Sequence, residues 1–160
     1  MTIPFKQTLT KEQALQKLKY FCAYQERCHQ EVKEKLYSLG MHKTEVEELI
    51  SLLIEENYLN EERFAIQYAG GKFRMKQWGK GKIKYALKQK QVSVYCIKKA
   101  LSQINEDDYL ETLEKLTTNK LEILSGEPNL FIRMRKLQDY LTQKGFEADL
   151  IRESLIQAKQ

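Results

Sequence analysis

A run of basic residues in the middle of the chain is the strongest chemical signal in the sequence. Residues 63–100 contain eleven Lys or Arg and no Asp or Glu, whereas the segments before and after them each contain eight basic and eleven acidic residues. The three segments therefore carry formal charges of −3, +11 and −3 within a net charge of +5. This asymmetry indicates that the middle segment has a polyanionic or acidic partner.

The basic residues of this segment have helical spacing. Lysines recur every four residues as Lys76, Lys80, Lys84 and Lys88, while the apolar residues between them fall on another side of the same helical wheel. Aromatic residues are interleaved with the charges, among them Tyr68, Phe73, Trp78, Tyr85 and Tyr95. Basic grooves with aromatic platforms are typical of single-stranded nucleic-acid binding. A solvated helix face is the alternative interpretation, although no acid interrupts the run to form i,i+4 pairs.

We select the candidate contact residues for a partner or for DNA by charge. In the middle segment they are Lys72, Arg74, Lys76, Lys80, Lys82, Lys84 and Lys88. A second, smaller cluster lies nearer the C-terminus and consists of Arg133, Arg135 and Lys136. Trp78 has two possible roles, as a core anchor between two helices or as an exposed stacking residue.

No combination of residue types indicates catalysis, a cofactor or a metal site. Residues 79–82 (GKGK) resemble a phosphate-binding loop only superficially, because no Ser or Thr follows the lysine. A close approach between two helices is the preferred interpretation. The glutamates of residues 47–62 are spread over exposed helix turns, and the Cys28–His29 pair has no further ligand at metal spacing. Three cysteines at unrelated spacings predict free thiols. An enzyme acting on nucleic acid is therefore the weakest hypothesis.

Composition and helix signals predict an all-α protein. The chain has two prolines, seven glycines and few adjacent β-branched residues. Nine helices are expected, and Gly70 and Gly71 are expected to end or bend the fourth. Their starts are marked by capping boxes at Thr10/Gln13 and Thr44/Glu47 and by caps at Asn60, Ser93 and Asn105.

Five apolar positions recur three times with the same gaps of four, five, five and four residues. The sets are Val32, Leu36, Met41, Val46, Ile50; Ile83, Leu87, Val92, Ile97, Leu101; and Leu137, Leu141, Phe146, Ile151, Leu155. Gly40 and Gly145 occupy matching helix ends, with Gln91 in the middle copy. The pattern recurs roughly every 50 residues, and such a period indicates stacked supersecondary units. We therefore expect one domain, residues 1–160, built from three tandem three-helix repeats in an elongated, curved array. The repeats span about 10–57, 58–104 and 105–160.

The sequence also predicts that the protein is soluble. No apolar run approaches the length of about 20 residues that a transmembrane helix needs. The polar start, MTIPFKQTLT, has no apolar core like that of a signal peptide. A cytoplasmic protein is expected, with no membrane partner, and a monomer is the simplest oligomeric state for a repeat array.

Two short motifs resemble the RecX family of recombination regulators. They are residues 58–65 (YLNEERFA) and residues 76–83 (KQWGKGKI), and the similarity covers most of the chain, weakening after about Ile104. At the matching positions we expect mainly packing roles, with Arg63 pairing with Glu61 or Glu62.

The resemblance implies a function as well as a fold of three tandem three-helix repeats. RecX-like proteins are non-enzymatic modulators that lie in the helical groove of the RecA filament on single-stranded DNA. They suppress RecA's ATP hydrolysis, strand exchange and co-protease activity, and so affect recombination, DNA repair and the SOS response. A nucleic-acid-binding protein without an obligate protein partner is the alternative.

Overall fold

A computed structural model of the chain describes residues 9–160, and the first eight residues, which include most of the polar start, lie outside the described residues. Within residues 9–160 there are nine α-helices, a 3-10 turn at Leu124–Gly126 and no strand. The helices are α1 (Lys11–Tyr24), α2 (His29–Ser38), α3 (Lys43–Glu55), α4 (Glu61–Lys76), α5 (Lys80–Gln89), α6 (Val94–Ser102), α7 (Glu106–Ile123), α8 (Leu130–Lys144) and α9 (Ala148–Ala158). The all-α prediction is confirmed. No helix of the described part combines the length and the apolar character needed to cross a bilayer.

The helices form three tandem repeats, α1–α3, α4–α6 and α7–α9, as the spacing predicts. In each repeat the first four positions of the recurring apolar set are buried and the fifth is half-buried. A residue with positive φ follows the middle helix of each repeat within two positions, and this angle is 88° at Gly40, 60° at Gln91 and 96° at Gly145. The following residue then donates its N–H to a carbonyl five positions earlier, at 3.1–3.3 Å. Gln91 adopts the conformation that glycine has in the other two copies.

The helix starts agree with the sequence with one exception. Side chains of Asn60, Ser93 and Asn105 accept hydrogen bonds from backbone N–H groups at the starts of α4, α6 and α7. The predicted box at Thr44 and Glu47 is wrong, because α3 begins at Lys43 after His42. In every repeat only two residues lie between the positive-φ residue after the middle helix and the start of the next helix. This constant spacing determines where α3 begins, and it outweighs the preference of threonine for the capping position.

The fourth helix runs without interruption through both of its glycines. α4 contains Gly70 and Gly71 and continues to Lys76, ending before Gln77, whose φ is 56°. Of the two expected outcomes, that the glycines end or bend this helix, the first is therefore wrong. Packing of the buried Ala69 and Phe73 on either side of them stabilises the helix more than two glycines weaken it.

The core is divided into two clusters. The first repeat has its own cluster, while the second and third repeats share one, which also includes Cys28. Arg63 connects the two parts: it forms an ion pair with Glu26 and donates to the carbonyl oxygens of Asn57 and Tyr58 at 3.1 and 3.4 Å. The predicted pairing of Arg63 with Glu61 or Glu62 is wrong, because the carboxylate in reach comes from the preceding repeat.

Candidate functional site

The seven cations predicted in the middle segment lie on two consecutive helices, which a three-residue connection joins. We call these seven residues the basic surface. Those of α4 occupy its last two turns: Lys72, Arg74 and Lys76. Those of α5 extend along most of its length: Lys80, Lys82, Lys84 and Lys88. The side chains of Arg74, Lys76, Lys84 and Lys88 are exposed, and the other three are half-buried.

The connection between α4 and α5 packs against the end of α8. Gly79 donates its N–H to the carbonyl oxygen of Lys144 at 2.7 Å, and Gly81 donates to that of Gly145 at 2.9 Å. A Cβ atom on Gly79 would overlap the backbone of Gly145 and Phe146. The close approach predicted for residues 79–82 is confirmed. Because both glycine N–H groups already have carbonyl acceptors, this segment does not offer them to a phosphate.

Of the two roles that the sequence left open for Trp78, the structure shows the core anchor, and the stacking role stays a prediction. Its side chain is half-buried and packs against the shared core of the second and third repeats. The Nζ atoms of Lys82 and Lys72 lie 4.7 and 5.1 Å from its ring centroid. Both distances lie within the range of cation–π attraction. Trp78 thus anchors the connection and holds two ammonium groups beside its ring.

Lys80 differs from the other three lysines that recur every four residues. Its Nζ lies 3.3 Å from Oε2 of Glu106 and 4.8 Å from the ring centroid of Tyr109, and its backbone N–H donates to the Tyr109 hydroxyl at 2.9 Å. Lys80 therefore connects α5 to α7. Within residues 9–160 no carboxylate lies at ion-pair distance from Lys76, Lys84 or Lys88, so these exposed charges are available to a partner.

The second predicted cluster is separate from the basic surface. Arg135 and Lys136 are exposed on α8, whereas Arg133 is half-buried, and its Nε lacks a hydrogen-bond partner in the described part of the chain. Eight residues of helix, about 12 Å, separate Lys136 from Lys144, at the end of α8 that contacts the α4–α5 connection. The structure does not bring the two predicted clusters together.

The sequence reasoning missed Lys144 as a neighbour of the basic surface. Its Nζ donates to the carbonyl oxygen of Lys76 at 3.2 Å. This lysine lies in a segment of mixed charge, so composition did not identify it. The repeat pattern places Gly145 at the end of a helix, so the position of Lys144 immediately before it could have indicated that this lysine lies at the helix end.

Catalytic chemistry has little support in the side chains of the described part. Within residues 9–160 no three His, Cys, Asp or Glu side chains are close enough together to hold a metal ion. The three cysteines are free, as predicted, and all three are buried. Burial raises the pKa of Cys22 and of Cys28 to about 11. At neutral pH these two thiols are therefore protonated and weakly nucleophilic.

Comparison with known proteins identifies two matching domain models. Residues 60–101 match the second three-helix domain of RecX, and residues 106–155 match the third. The regulatory protein RecX of Clostridium perfringens is 34% identical over 124 residues, covering 77% of this chain and 58% of the relative. That of Bacillus cytotoxicus is 29% identical over 147 residues, covering 91% and 53%. The chain thus spans between half and three fifths of the length of these curated relatives.

A solved structure has the same fold. The crystal structure of RecX from Lactobacillus salivarius matches with a TM-score of 0.83, covering 92% of this chain and 95% of that chain at 24% identity. At this identity the match concerns the fold alone.

Proposed function

The chain belongs to the RecX family, whose matching relatives are named regulatory proteins, and from this premise we propose that it regulates the RecA recombinase. It binds the filament that RecA forms on single-stranded DNA, in the helical groove, and mainly inhibits ATP hydrolysis, strand exchange and co-protease activity. It thereby tunes recombination, DNA repair and the SOS response. It acts in the cytoplasm as a monomer and without catalysis of its own.

The observation that carries this proposal is the set of exposed lysines without acidic neighbours. Lys76, Lys84 and Lys88 have no ion-pair partner in residues 9–160. A groove lined by phosphates and acidic side chains supplies the missing charges, and each phosphate contact releases counterions. Binding is therefore expected to weaken steeply as the salt concentration rises.

We divide the candidate residues by role according to their exposure and contacts. We assign the direct contacts to Arg74, Lys76, Lys84 and Lys88, which are exposed. Lys72 and Lys82 contribute charge beside Trp78, and Lys80 mainly fixes α5 against α7. The α8 cluster of Arg133, Arg135 and Lys136 provides a second contact at a distance from the first, as a partner that extends along the repeats would require.

The test is a titration of RecA's DNA-dependent ATP hydrolysis with three proteins. They are the wild type, a triple variant with Lys76, Lys84 and Lys88 changed to Gln, and a control in which Lys43, Lys115 and Lys159 are changed to Gln. Each variant removes three positive charges, and all six lysines are exposed, so the two variants differ only in where the charge is lost. We expect the wild type and the control to inhibit, and the first variant to require at least tenfold more protein.

Two results would contradict parts of this proposal. If the wild type leaves ATP hydrolysis and strand exchange unchanged at every stoichiometry and at physiological salt, the protein does not regulate RecA in this way. If the first variant inhibits as well as the wild type, the contact surface lies elsewhere.

A nucleic-acid-binding protein without an obligate protein partner is the second candidate function. It is favoured by Trp78, whose ring lies beside two ammonium groups, as in sites where bases stack near cations. This function requires comparable affinity for single-stranded DNA in the absence of RecA. Tight binding to filaments with negligible binding to bare DNA would exclude it.

A further inference from the structure

An open cleft on the first repeat combines aromatic and basic side chains without any acid. It has a volume of about 500 Å³ and is formed by residues of α1 and α2 and of the connection between them. Its lining consists of Gln16, Lys17, Tyr20, Phe21, Tyr24, Arg27 and Lys35. The cleft lies outside the basic surface and outside the residues matched by the RecX domain models. Neither the charge asymmetry nor the family resemblance assigns it a role.

Two tyrosines of the cleft are largely exposed to solvent and do not contribute to the core. Tyr20 and Tyr24 are 79% and 77% exposed. They lie four residues apart on α1, so their side chains are neighbours on one helix face, with Cβ atoms about 5–6 Å apart. The core of the repeat takes other residues of α1, namely Ala14, Leu18 and Cys22. The two rings are therefore free to contact a ligand.

The charges of the cleft are of two kinds. Arg27 is fixed within the protein: its Cζ lies 3.7 Å from the ring centroid of Phe21, its Nε donates to the Phe21 carbonyl at 3.0 Å, and its Nη1 lies 3.7 Å from Glu31. Lys17 and Lys35 have no ion-pair partner within residues 9–160. The cleft thus has a rigid aromatic wall and two lysines whose charges are not neutralised.

We propose that this cleft binds single-stranded nucleic acid, with bases stacked on Tyr20 and Tyr24 and phosphates beside Lys17 and Lys35. Stacked bases use the faces of exposed rings, and the adjoining backbone needs cations without competing carboxylates. An acidic peptide would also bind the lysines, but it would not account for two adjacent exposed rings. The site extends the proposed function by a contact in the first repeat, and it does not depend on that function because it requires no RecA.

The test compares two labelled oligonucleotides of equal length and equal phosphate number, oligothymidylate and an abasic strand. Affinities are measured by fluorescence anisotropy at low salt, with the fold of each variant checked by circular dichroism. We expect the wild type to prefer oligothymidylate. Changing both Tyr20 and Tyr24 to Ala should weaken binding to oligothymidylate about tenfold or more and sharply reduce the preference for it over the abasic strand. Changing both to Phe should retain it.

The controls separate stacking from charge. Tyr37 is 46% exposed on α2 and does not line the cleft, so Tyr37→Ala should leave both affinities unchanged. Changing Lys17 and Lys35 to Gln should lower the affinity for both oligonucleotides to a similar degree, because the two strands carry the same number of phosphates. Repeating the measurements with oligouridylate distinguishes DNA from RNA as the source of the strand.

Three results would overturn the site. They are the absence of oligonucleotide binding, equal wild-type affinity for the two strands, or a preference for bases that is undiminished in the double Ala variant. If that Ala variant loses inhibition of RecA but keeps its preference for bases, the cleft binds a protein segment instead. Apart from that comparison, which presupposes that the wild type inhibits RecA, these outcomes do not decide whether the protein regulates RecA; the ATP-hydrolysis titration tests that separately.

Discussion

Gly79 donates its backbone N–H to the carbonyl oxygen of Lys144 at 2.7 Å, and this bond fixes the start of α5 against the end of α8. A second bond, from Gly81 to Gly145, follows two residues later. The basic surface of the second repeat is therefore held in place by the third. Side-chain volume at this contact should control how firmly the two repeats are joined.

Changing Gly79 to Ala tests this contact. The added Cβ would overlap the backbone of Gly145 and Phe146, so we expect the free energy of unfolding in urea to fall by about 1–3 kcal/mol. Gly71→Ala is the matched control, because a Cβ there meets nothing within 4 Å in the interior of α4. That change should raise stability by about 0.5–1 kcal/mol. Equal effects of the two substitutions would show that the contact is looser than described.

Removing the Tyr109 hydroxyl should also weaken this junction. Tyr109 is fully buried; its hydroxyl accepts from the backbone N–H of Lys80 and donates to the carboxylate of Glu147. Tyr109→Phe leaves both groups without their partner, and we expect a loss of about 1–3 kcal/mol in urea denaturation. Tyr85 is 66% exposed, so Tyr85→Phe should change nothing. Unchanged stability in both variants would indicate that water replaces the hydroxyl.

The sequence predicted the repeat because each copy meets the same packing requirement. Positions equivalent to Val32 are buried in all three copies, and the residue that ends the middle helix has positive φ even where it is Gln91. Such regularity is local and can be read along the chain. The start of α3 was missed because a threonine that resembled a cap was weighted above the register of the repeat.

The details of the site depend on residues distant in the chain, which sequence patterns do not pair. Glu106, 26 residues from Lys80 in the chain, pairs with this lysine and makes its charge less available to a partner. Glu26 pairs with Arg63, which is 37 residues away in the chain. The cleft beside Tyr20 was missed for another reason. Its basic residues come from α1, α2 and their connection, in a segment that is acidic overall, so charge counting did not reveal them.

Arg63→Ala should loosen the first repeat selectively. Arg63 joins the two core clusters through Glu26, and the substitution leaves that half-buried carboxylate without its cation. Because the Arg63 side chain is 37% exposed, we expect a loss of about 1–3 kcal/mol, smaller than for a fully buried pair. Hydrogen exchange should accelerate in α1–α3 more than in α5 and α8. Equal acceleration throughout would mean that the chain unfolds as one unit.

The buried thiols give a prediction about pH. Burial raises the pKa of Cys22 and of Cys28 from 9.0 to about 11, so at pH 8 these two thiols, followed individually by peptide mass spectrometry, should react with a thiol reagent about 100-fold more slowly in the folded protein than in the unfolded chain. The unfolded chain releases these protons at lower pH than the folded one. Stability from this source is therefore present below about pH 9 and lost as the pH rises towards 11. Equal reactivity of folded and unfolded protein would contradict the burial of both thiols.

Trp78 is the single tryptophan, and its fluorescence should report the charge beside it. The ammonium groups of Lys72 and Lys82 lie 5.1 and 4.7 Å from its ring, so iodide should be enriched there about 2- to 4-fold. Changing both lysines to Gln should reduce quenching by iodide but leave quenching by neutral acrylamide unchanged. Bound oligothymidylate should have the same effect if its phosphates occupy this part of the surface. Loss of both kinds of quenching would instead indicate that the ring has become buried, and no loss of either would place its lysines too far away to act on it.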